Sequence, residues 1–159
     1  MSGVDFDVEI DTDDLERAWA ESLRVLSDGI RTGVSNGVTE GAQEARTVHR
    51  YKDRTGALTA STVGRVEVST PGAAVGIIEA TKPYASFVEE GTRPHEIRAR
   101  RAPLLRWVDA DGGHHAAKKV NHPGTPSLPF IGPAVLKAER VMVRDIEVAA
   151  DKVADIMSR

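Results

Sequence analysis

A chain of 159 residues is long enough to form one domain with its own apolar core, and its composition excludes several classes of protein. It has no cysteine, which excludes a disulfide framework and zinc or iron–sulfur sites with cysteine ligands. No apolar run approaches the roughly 20 residues that cross a bilayer, and the acidic N-terminus lacks the basic-then-apolar layout of a signal peptide. We therefore expect a protein that acts in a reducing cytosol and has no membrane as a partner.

The charge is distributed unevenly, although the formal net charge of −3 is too small by itself to indicate nucleic-acid binding. Residues 1–16 contain acids and no base, whereas bases predominate in residues 93–119. The bases of this second region are Arg93, Arg98, Arg100, Arg101, Arg106, Lys118 and Lys119. Opposite patches on one small subunit suit head-to-tail self-association. The alternative is that both patches are simply solvated faces.

A strand and then a long helix are predicted at the beginning of the chain. Residues 4–10 alternate between apolar side chains and acids, which is typical of a half-buried strand. Thr12 or Asp13 then offers an N-cap. Apolar residues at steps of three and four predict an amphipathic helix from residue 15 to about residue 49.

Four glycines recur at every fourth position of the predicted helix: Gly29, Gly33, Gly37 and Gly41. Each costs about 1 kcal/mol relative to alanine in a helix interior. One interpretation is a smooth groove where another backbone lies close, such as that of a neighbouring subunit. The other is a kink, or a break into two helices. The charged patches and the glycines together predict a subunit interface that comprises Asp11, Asp13, Asp14, Gly33, Gly37, Arg98, Arg100 and Arg101.

Short elements separated by turns are predicted for the middle of the chain. They are a turn at Arg54-Thr55-Gly56, strands at 62–69 and 73–79 joined by a hairpin turn at 70–72, a short helix at 84–90 ended by Gly91, and strands at 95–101, 104–108 and 116–121. We expect Val66 and Val68 to face Val75 and Ile77 across the hairpin. Pro133 suits the first turn of a second amphipathic helix that runs to the C-terminus.

This order of elements predicts a single α+β domain over residues 1–159, in which a mainly antiparallel sheet packs with a long N-terminal helix and a C-terminal helix. Residues 93–129 contain few large apolar side chains and many turn residues. We expect them to project from the domain as a loop or arm, and they are called the arm below.

The histidines of the arm raise the hypothesis of a metal-dependent nuclease. His114, His115 and His122 lie close in the sequence, with Asn121 beside the last of them. A His–Asn–His nuclease needs a helix directly after such residues. Here the chain continues with Pro123-Gly124-Thr125-Pro126, which cannot begin that helix. We therefore expect no metal, no cofactor and no catalysis.

The basic segment of the arm raises a third hypothesis, that of a DNA-binding accessory protein. Its arginines could contact phosphates. However, Trp107 is the only aromatic side chain among them, so the stacking of bases has little support. Pairing of these arginines with acids on a protein partner is the preferred interpretation.

Four segments resemble, in order and spacing, the motifs of one family of tailed-phage proteins. They are Thr55-Gly56-Ala57-Leu58-Thr59-Ala60-Ser61, Tyr84-Ala85-Ser86-Phe87-Val88-Glu89-Glu90-Gly91-Thr92, Pro94-His95-Glu96-Ile97-Arg98 followed by Leu104-Leu105-Arg106-Trp107, and His122-Pro123-Gly124-Thr125 leading to Pro129-Phe130-Ile131-Gly132-Pro133-Ala134. The family comprises phage neck and tail-completion (head–tail joining) proteins and is named for gene product ten of a Hong Kong lambdoid coliphage. The resemblance covers residues 8–157, except that residues 110–119 match no fixed pattern.

The resemblance implies an α+β subunit that assembles into a homo-oligomeric ring in the neck of the virion, without catalysis or cofactor. Its implied partners are further copies of itself, the connector or head-completion protein, and the tail terminator or tail tube protein, with DNA passing through without sequence specificity. The implied location is the head–tail junction or upper tail end, after assembly in the host cytoplasm. The neighbouring alternative is a tail terminator, which caps the tail tube.

The motif residues also have a physical interpretation. They are Thr55, Gly56, Tyr84, Phe87, Glu89, Gly91, Thr92, Pro129, Phe130 and Pro133. We expect Tyr84 and Phe87, three positions apart on one helical face, to cover the core, and Phe130 to be a large buried anchor. On this interpretation the motifs maintain the fold and do not bind a partner.

Overall fold

The computed structural model describes residues 12–70, 72–109 and 111–159. It has an α+β fold, as predicted. Its elements are α1 (Asp13–Thr47), α2 (Ala57–Ser61), β1 (Thr62–Thr70), β2 (Ala73–Ala80), α3 (Ala85–Glu89), β3 (His95–Arg98), β4 (Leu105–Val108), β5 (His114–Ala117), β6 (Lys119–His122) and α4 (Ile131–Met157). The predicted strand at 4–10 lies outside the described residues, as do Asp11 and Pro71. No helix within those ranges is long and apolar enough to span a membrane.

The first helix is continuous through all four of its glycines. Asp13, Asp14 and Glu16 occupy its first turn, where carboxylates oppose the positive end of the helix dipole. Thr12 is the N-cap residue, as one of the two predictions had it, although its side chain caps no backbone N–H. The predicted extent, residue 15 to about residue 49, is confirmed to within two residues at each end, and the chain does not break into two helices.

The four glycines of α1, called the glycine stripe below, allow the backbone of α4 to lie close to that of α1. A Cβ atom at Gly37 would lie 2.8 Å from the carbonyl oxygen of Ala138, and one at Gly41 would lie 2.8 Å from that of Ala134. The later glycine of α1 lies against the earlier residue of α4, so the two helices are antiparallel. The predicted close approach of a second backbone is thus confirmed, but it occurs within one chain. Gly33 and Gly37 are buried against α4, which removes them from the predicted subunit interface.

The β1–β2 hairpin packs on an adjacent face of α1 through glycines of its own. A Cβ atom at Gly64 would lie 2.5 Å from the carbonyl oxygen of Val38, and one at Gly76 would overlap the Val38 side chain. Only glycine allows the backbone of a sheet to approach a helix this closely. The middle of α1 is therefore covered by the hairpin on one face and by α4 on the next.

The same close approach decides the register of the hairpin. Val66 lies opposite Gly76, and Arg65 lies opposite Ile77, in an antiparallel pair. The expectation that the valines of β1 face Val75 and Ile77 is therefore wrong by one position. Shifting a strand by one residue exchanges its two faces, and the face toward α1 needs glycine where the helix comes closest.

The arm consists of two short antiparallel sheets, β3–β6 and β4–β5, which do not join the β1–β2 sheet. The strands therefore form three separate pairs, where a single sheet was predicted. Residues 99–104 separate β3 from β4, whereas Lys118 alone separates β5 from β6, so the predicted return strand at 116–121 is divided. The strands of the arm pack mainly on each other.

Candidate functional site

The motif residues converge where the arm joins the rest of the chain. Residues 88–92 and 124–132 lie side by side there, and these two segments are called the arm base. The backbone N–H of Leu128 donates to the carbonyl oxygen of Val88 (2.9 Å), and Thr92 and Thr125 exchange two backbone hydrogen bonds (2.9 and 3.0 Å). Segments more than 30 positions apart in the sequence are thereby joined at the point where the arm begins and ends.

Glu89 caps the first turn of α4 across the arm base. Its Oε2 accepts hydrogen bonds from the backbone N–H groups of Phe130 (2.7 Å) and Ile131 (2.9 Å), and its Oε1 accepts one from that of Gly132 (2.9 Å). N–H groups at the start of a helix have no partner within it, and a carboxylate there also opposes the positive end of the helix dipole. The N-cap residue of α4 supplies no side-chain cap of its own. The motif glutamate therefore fixes the C-terminal helix to α3.

Replacing Glu89 by glutamine should lower the free energy of unfolding by about 2 kcal/mol, because a neutral amide has one acceptor oxygen where the carboxylate has two charged ones. Urea unfolding followed by circular dichroism measures the difference. Glu90→Gln is the matched control, since Glu90 is the exposed neighbour of Glu89. Equal stability of the two variants would show that the cap contributes nothing.

Two glycines allow the segments of the arm base to cross. Gly91 (φ 76°) and Gly124 (φ 91°) both have left-handed backbone conformations, which other residues rarely adopt. A Cβ atom at Gly91 would lie 2.5 Å from the carbonyl oxygen of Thr125, and one at Gly124 would overlap that of Thr92. The lack of a side chain at Gly91 therefore leaves space for Thr125, and its lack at Gly124 leaves space for Thr92.

Phe130 fills the core beneath the arm base, as predicted. It is 1% exposed and shares a buried cluster with Tyr51, Leu58 and Ala134. The ring of Tyr51 meets that of Phe130 edge to face, with the ring centroids 5.0 Å apart. Phe130 thus anchors the start of α4 twice, through its side chain in the core and through its backbone N–H on Glu89.

The N-cap residue of α3, Tyr84, and the aromatic residue within it, Phe87, lie at the surface, contrary to the prediction that they cover the core. Tyr84 is 42% exposed and Phe87 is 60% exposed, because α3 packs on the core through Ala85 and Val88 instead. Tyr51 covers Phe130 in their place. It lies in an irregular segment between α1 and α2, where no periodic pattern could single it out.

The segment that contains the Thr55-Gly56 motif adjoins the cluster that buries Phe130. Gly56 is the N-cap residue of α2, and Asp53 accepts a hydrogen bond from the backbone N–H of Thr59 (2.9 Å). Hydrogen bonds from the side chain and backbone of Thr59 hold the pKa of the Asp53 carboxyl below its ordinary value. The Tyr51 hydroxyl lies 3.4 Å from Thr59 Oγ1, and burial raises the pKa of Tyr51. This first motif therefore supports the cluster around Phe130.

The charged residues of the predicted interface are exposed wherever the structure describes them. They are Asp13, Asp14, Arg98, Arg100 and Arg101. Asp14 pairs with Arg17 of its own helix (2.5 Å), and Arg98 pairs with Glu96 of its own strand. Arg100 and Arg101 lie in residues 99–104, the segment that separates β3 from β4. The acids and the bases thus remain on the surface, on different elements.

The arm histidines are separated into two places. His95 and His122 lie opposite each other in the β3–β6 pair, with ring centroids 5.2 Å apart. At the other end of the arm, His115 contacts Asp109 (2.7 Å) and stacks on Trp107. The hydrogen bond from His115 lowers the pKa of Asp109. In the part of the chain that the structure describes, no three His, Cys, Asp or Glu residues could hold a metal ion together, so the nuclease hypothesis gains no support.

Large apolar side chains remain exposed on both long helices. Leu15, Trp19 and Leu23 follow one face of α1 near its beginning, and each is more than half exposed (58%, 58% and 53%). On α4 the exposed apolar residues include Val135, Leu136, Val143 and Val148. Contiguous exposed apolar surface is typical of sites where other proteins bind.

The geometry gives most of the motif residues structural roles, and the predicted interface charges are exposed wherever the structure describes them. Most of the motif residues lie in the arm base or next to the cluster beneath it, whereas Tyr84 and Phe87 lie at the surface. The predicted interface charges lie outside this unit. No family model, curated protein or solved structure significantly matches the chain.

Proposed function

We propose that this protein is a structural subunit of a tailed bacteriophage that forms a homo-oligomeric ring at the head–tail interface, through which DNA passes. The observation that carries the proposal is the arm base. Segments that resemble the motifs of neck and tail-completion proteins lie far apart in the sequence, yet they form one unit that anchors the arm. Glu89 and Gly91 of one such segment contact Phe130 and Thr125 of another.

The long first helix places its acidic beginning far from the attachment point of the basic arm, which supports self-association. Ala45 belongs to the cluster beneath the arm base. Asp13 lies 32 residues earlier on the same continuous helix, or about 48 Å away along its axis. The acidic beginning of α1 therefore lies far from the point where the basic arm is attached. A ring of identical subunits needs two different, complementary surfaces of this kind.

Assembly also requires affinity between subunits, and the exposed apolar side chains of α1 and α4 supply it. Exposed ion pairs contribute only about 0–1 kcal/mol each, so the charges set orientation while apolar contacts provide most of the affinity. In the virion the neighbours of the ring would be the connector or head-completion protein on one side and the tail terminator or tail tube protein on the other. Electron microscopy of the purified protein tests the proposal, with closed rings of uniform symmetry as the expected result.

Charge reversal should block assembly without unfolding the subunit. The variant carries Arg98→Glu, Arg100→Glu and Arg101→Glu, which reverses the three arm charges of the predicted interface while leaving the Phe130 cluster intact. Size-exclusion chromatography with light scattering should show monomers at physiological salt, with unchanged thermal unfolding. Reversal of Asp11, Asp13 and Asp14 to lysine in the same chain should partly restore assembly.

The matched control reverses three exposed arginines outside the arm, Arg24, Arg50 and Arg140, and so changes the net charge equally. It should assemble more completely than the arm variant. Normal assembly of the arm variant would refute the charge pairing and leave the ring itself to be judged by microscopy. Monomers that bind DNA with a steep dependence on salt would favour the DNA-binding hypothesis instead.

A further inference from the structure

An apolar groove runs between β2 and α4, with α1 as its floor. It encloses about 410 Å³, and its apolar lining includes Val34, Val38, Ile78, Val135 and Met142. Residues of β2 line one wall, and none of the β1 residues whose side chains the structure describes (62–67) lines the groove. The groove therefore lies on the side of β2 that faces away from β1, where β2 pairs with no other described strand.

An unpaired strand edge beside an apolar groove suits the addition of another strand. The free edge presents backbone N–H and C=O groups that an incoming strand can pair with. A sheet of only two strands is marginally stable by itself, so a third strand would also stabilise the hairpin. The incoming strand must be apolar on the face that enters the groove, polar on the other face, and similar in length to β2, which has eight residues.

Residues 4–10 meet these requirements. Their apolar side chains are Val4, Phe6, Val8 and Ile10, and the acids Asp5, Asp7 and Glu9 alternate with them. The segment contains no proline or glycine. We propose that residues 4–10 of one copy of the chain add to β2 of a second copy, with the apolar side chains in the groove and the acids toward solvent. This inference deepens the proposed self-association and rests on it.

The geometry of α1 favours a second copy over the chain's own N-terminus as the source of the strand. Val34 and Val38 lie 22 and 26 residues after Thr12, which places the groove floor about 33–39 Å along the helix axis. An extended chain covers at most about 3.4 Å per residue, so Asp7 can reach about 17 Å back from Thr12 and Val4 about 27 Å. The centre of the segment therefore cannot reach the groove of its own chain.

Disulfide trapping between two separately purified variants tests the proposal. One carries Asp7→Cys and the other carries Val75→Cys, at a half-exposed position on the face of β2 away from α1. The natural chain has no cysteine, so a mixed disulfide can only join two copies. Mild oxidation of the mixture should give a mixed dimer on a non-reducing gel, confirmed by mass spectrometry. Ile77→Cys, two residues along the same face, covers the neighbouring register.

Val63→Cys is the matched control, since it lies on the same face of the hairpin but on β1. It should trap the Asp7→Cys partner much less than Val75→Cys or Ile77→Cys does. A second variant, Val8→Asp, should abolish trapping without changing the unfolding of the monomer, because it places a charge in the groove.

Equal trapping at Val63 and Val75 would overturn the inference. A third variant carries Asp7→Cys and Val75→Cys in one chain, and a disulfide that forms only within that chain and not between the single variants would overturn it too. Absence of any mixed disulfide at Val75 and Ile77 would overturn it as well. Rings seen by microscopy without this trapping would leave the proposed function intact and refute the strand addition alone. Mixed disulfides without rings would refute the ring and support the strand addition.

Discussion

Truncation of Phe130 to alanine should lower the free energy of unfolding by about 3–5 kcal/mol, a large share of the stability of a small domain. The side chain is 1% exposed and contacts Tyr51 within the cluster beneath the arm base. Its removal leaves a cavity where α1, α2 and α4 meet, since Ala45, Leu58 and Ala134 belong to the same cluster. Thermal and urea unfolding of the monomeric protein measure the loss.

Phe87→Ala is the matched control for this truncation. It removes the same ring from a position that is 60% exposed, so it should cost well under 1 kcal/mol. If Phe87→Ala impairs assembly while the monomer unfolds normally, the exposed ring is part of a subunit contact. If Phe130→Ala leaves unfolding unchanged and impairs only assembly, then Phe130 is an interface residue and its assignment to the core is wrong.

Substitution of Gly37 by valine should destabilise the packing of α1 on α4 by about 3 kcal/mol. A single Cβ atom at this position would already lie 2.8 Å from the carbonyl oxygen of Ala138. The branched side chain can be accommodated only if the two helices move apart, which would also weaken the contacts of neighbouring glycines. The expected result is a lower urea midpoint and faster hydrogen exchange along α4.

Ser35→Val isolates this packing effect from helix propensity. Ser35 lies on the exposed face of the same helix, two residues before Gly37. Valine there changes propensity by only a few tenths of a kcal/mol and meets no neighbouring helix. Similar destabilisation by both substitutions would mean that α4 does not pack against the glycine stripe as described.

Local patterns in the sequence were sufficient to predict the two long helices and the hairpin, whereas the short helix α2 was not predicted. The step of three and four residues predicted α1 and α4, and the turn at 70–72 between two apolar runs predicted β1 and β2. Each of these signals depends on residues that are neighbours in the sequence. Phe130 was also predicted correctly, because a lone large aromatic residue just before a helix has few alternatives to burial.

Contacts between distant segments could not be predicted in the same way. The glycine spacing indicated that a backbone lies close to α1, but nothing in residues 29–41 shows whether that backbone belongs to the same chain. Glu89 reaches N–H groups more than 40 positions away, so its role depends on how the arm base closes. The prediction of the hairpin register was wrong for a related reason. Contact with α1, and not strand propensity, determines which face of the hairpin carries Gly64 and Gly76.

The hydrogen bonds between Thr92 and Thr125 make the arm an insertion that begins and ends at one point. The entropy of closing such a loop grows only with the logarithm of its length, and doubling the length costs about 0.6 kcal/mol. The stability of the rest of the domain therefore depends little on how many residues the arm contains. Evolution can lengthen, shorten or recharge the arm to match a different neighbour while Glu89, Gly91 and Gly124 keep its attachment unchanged.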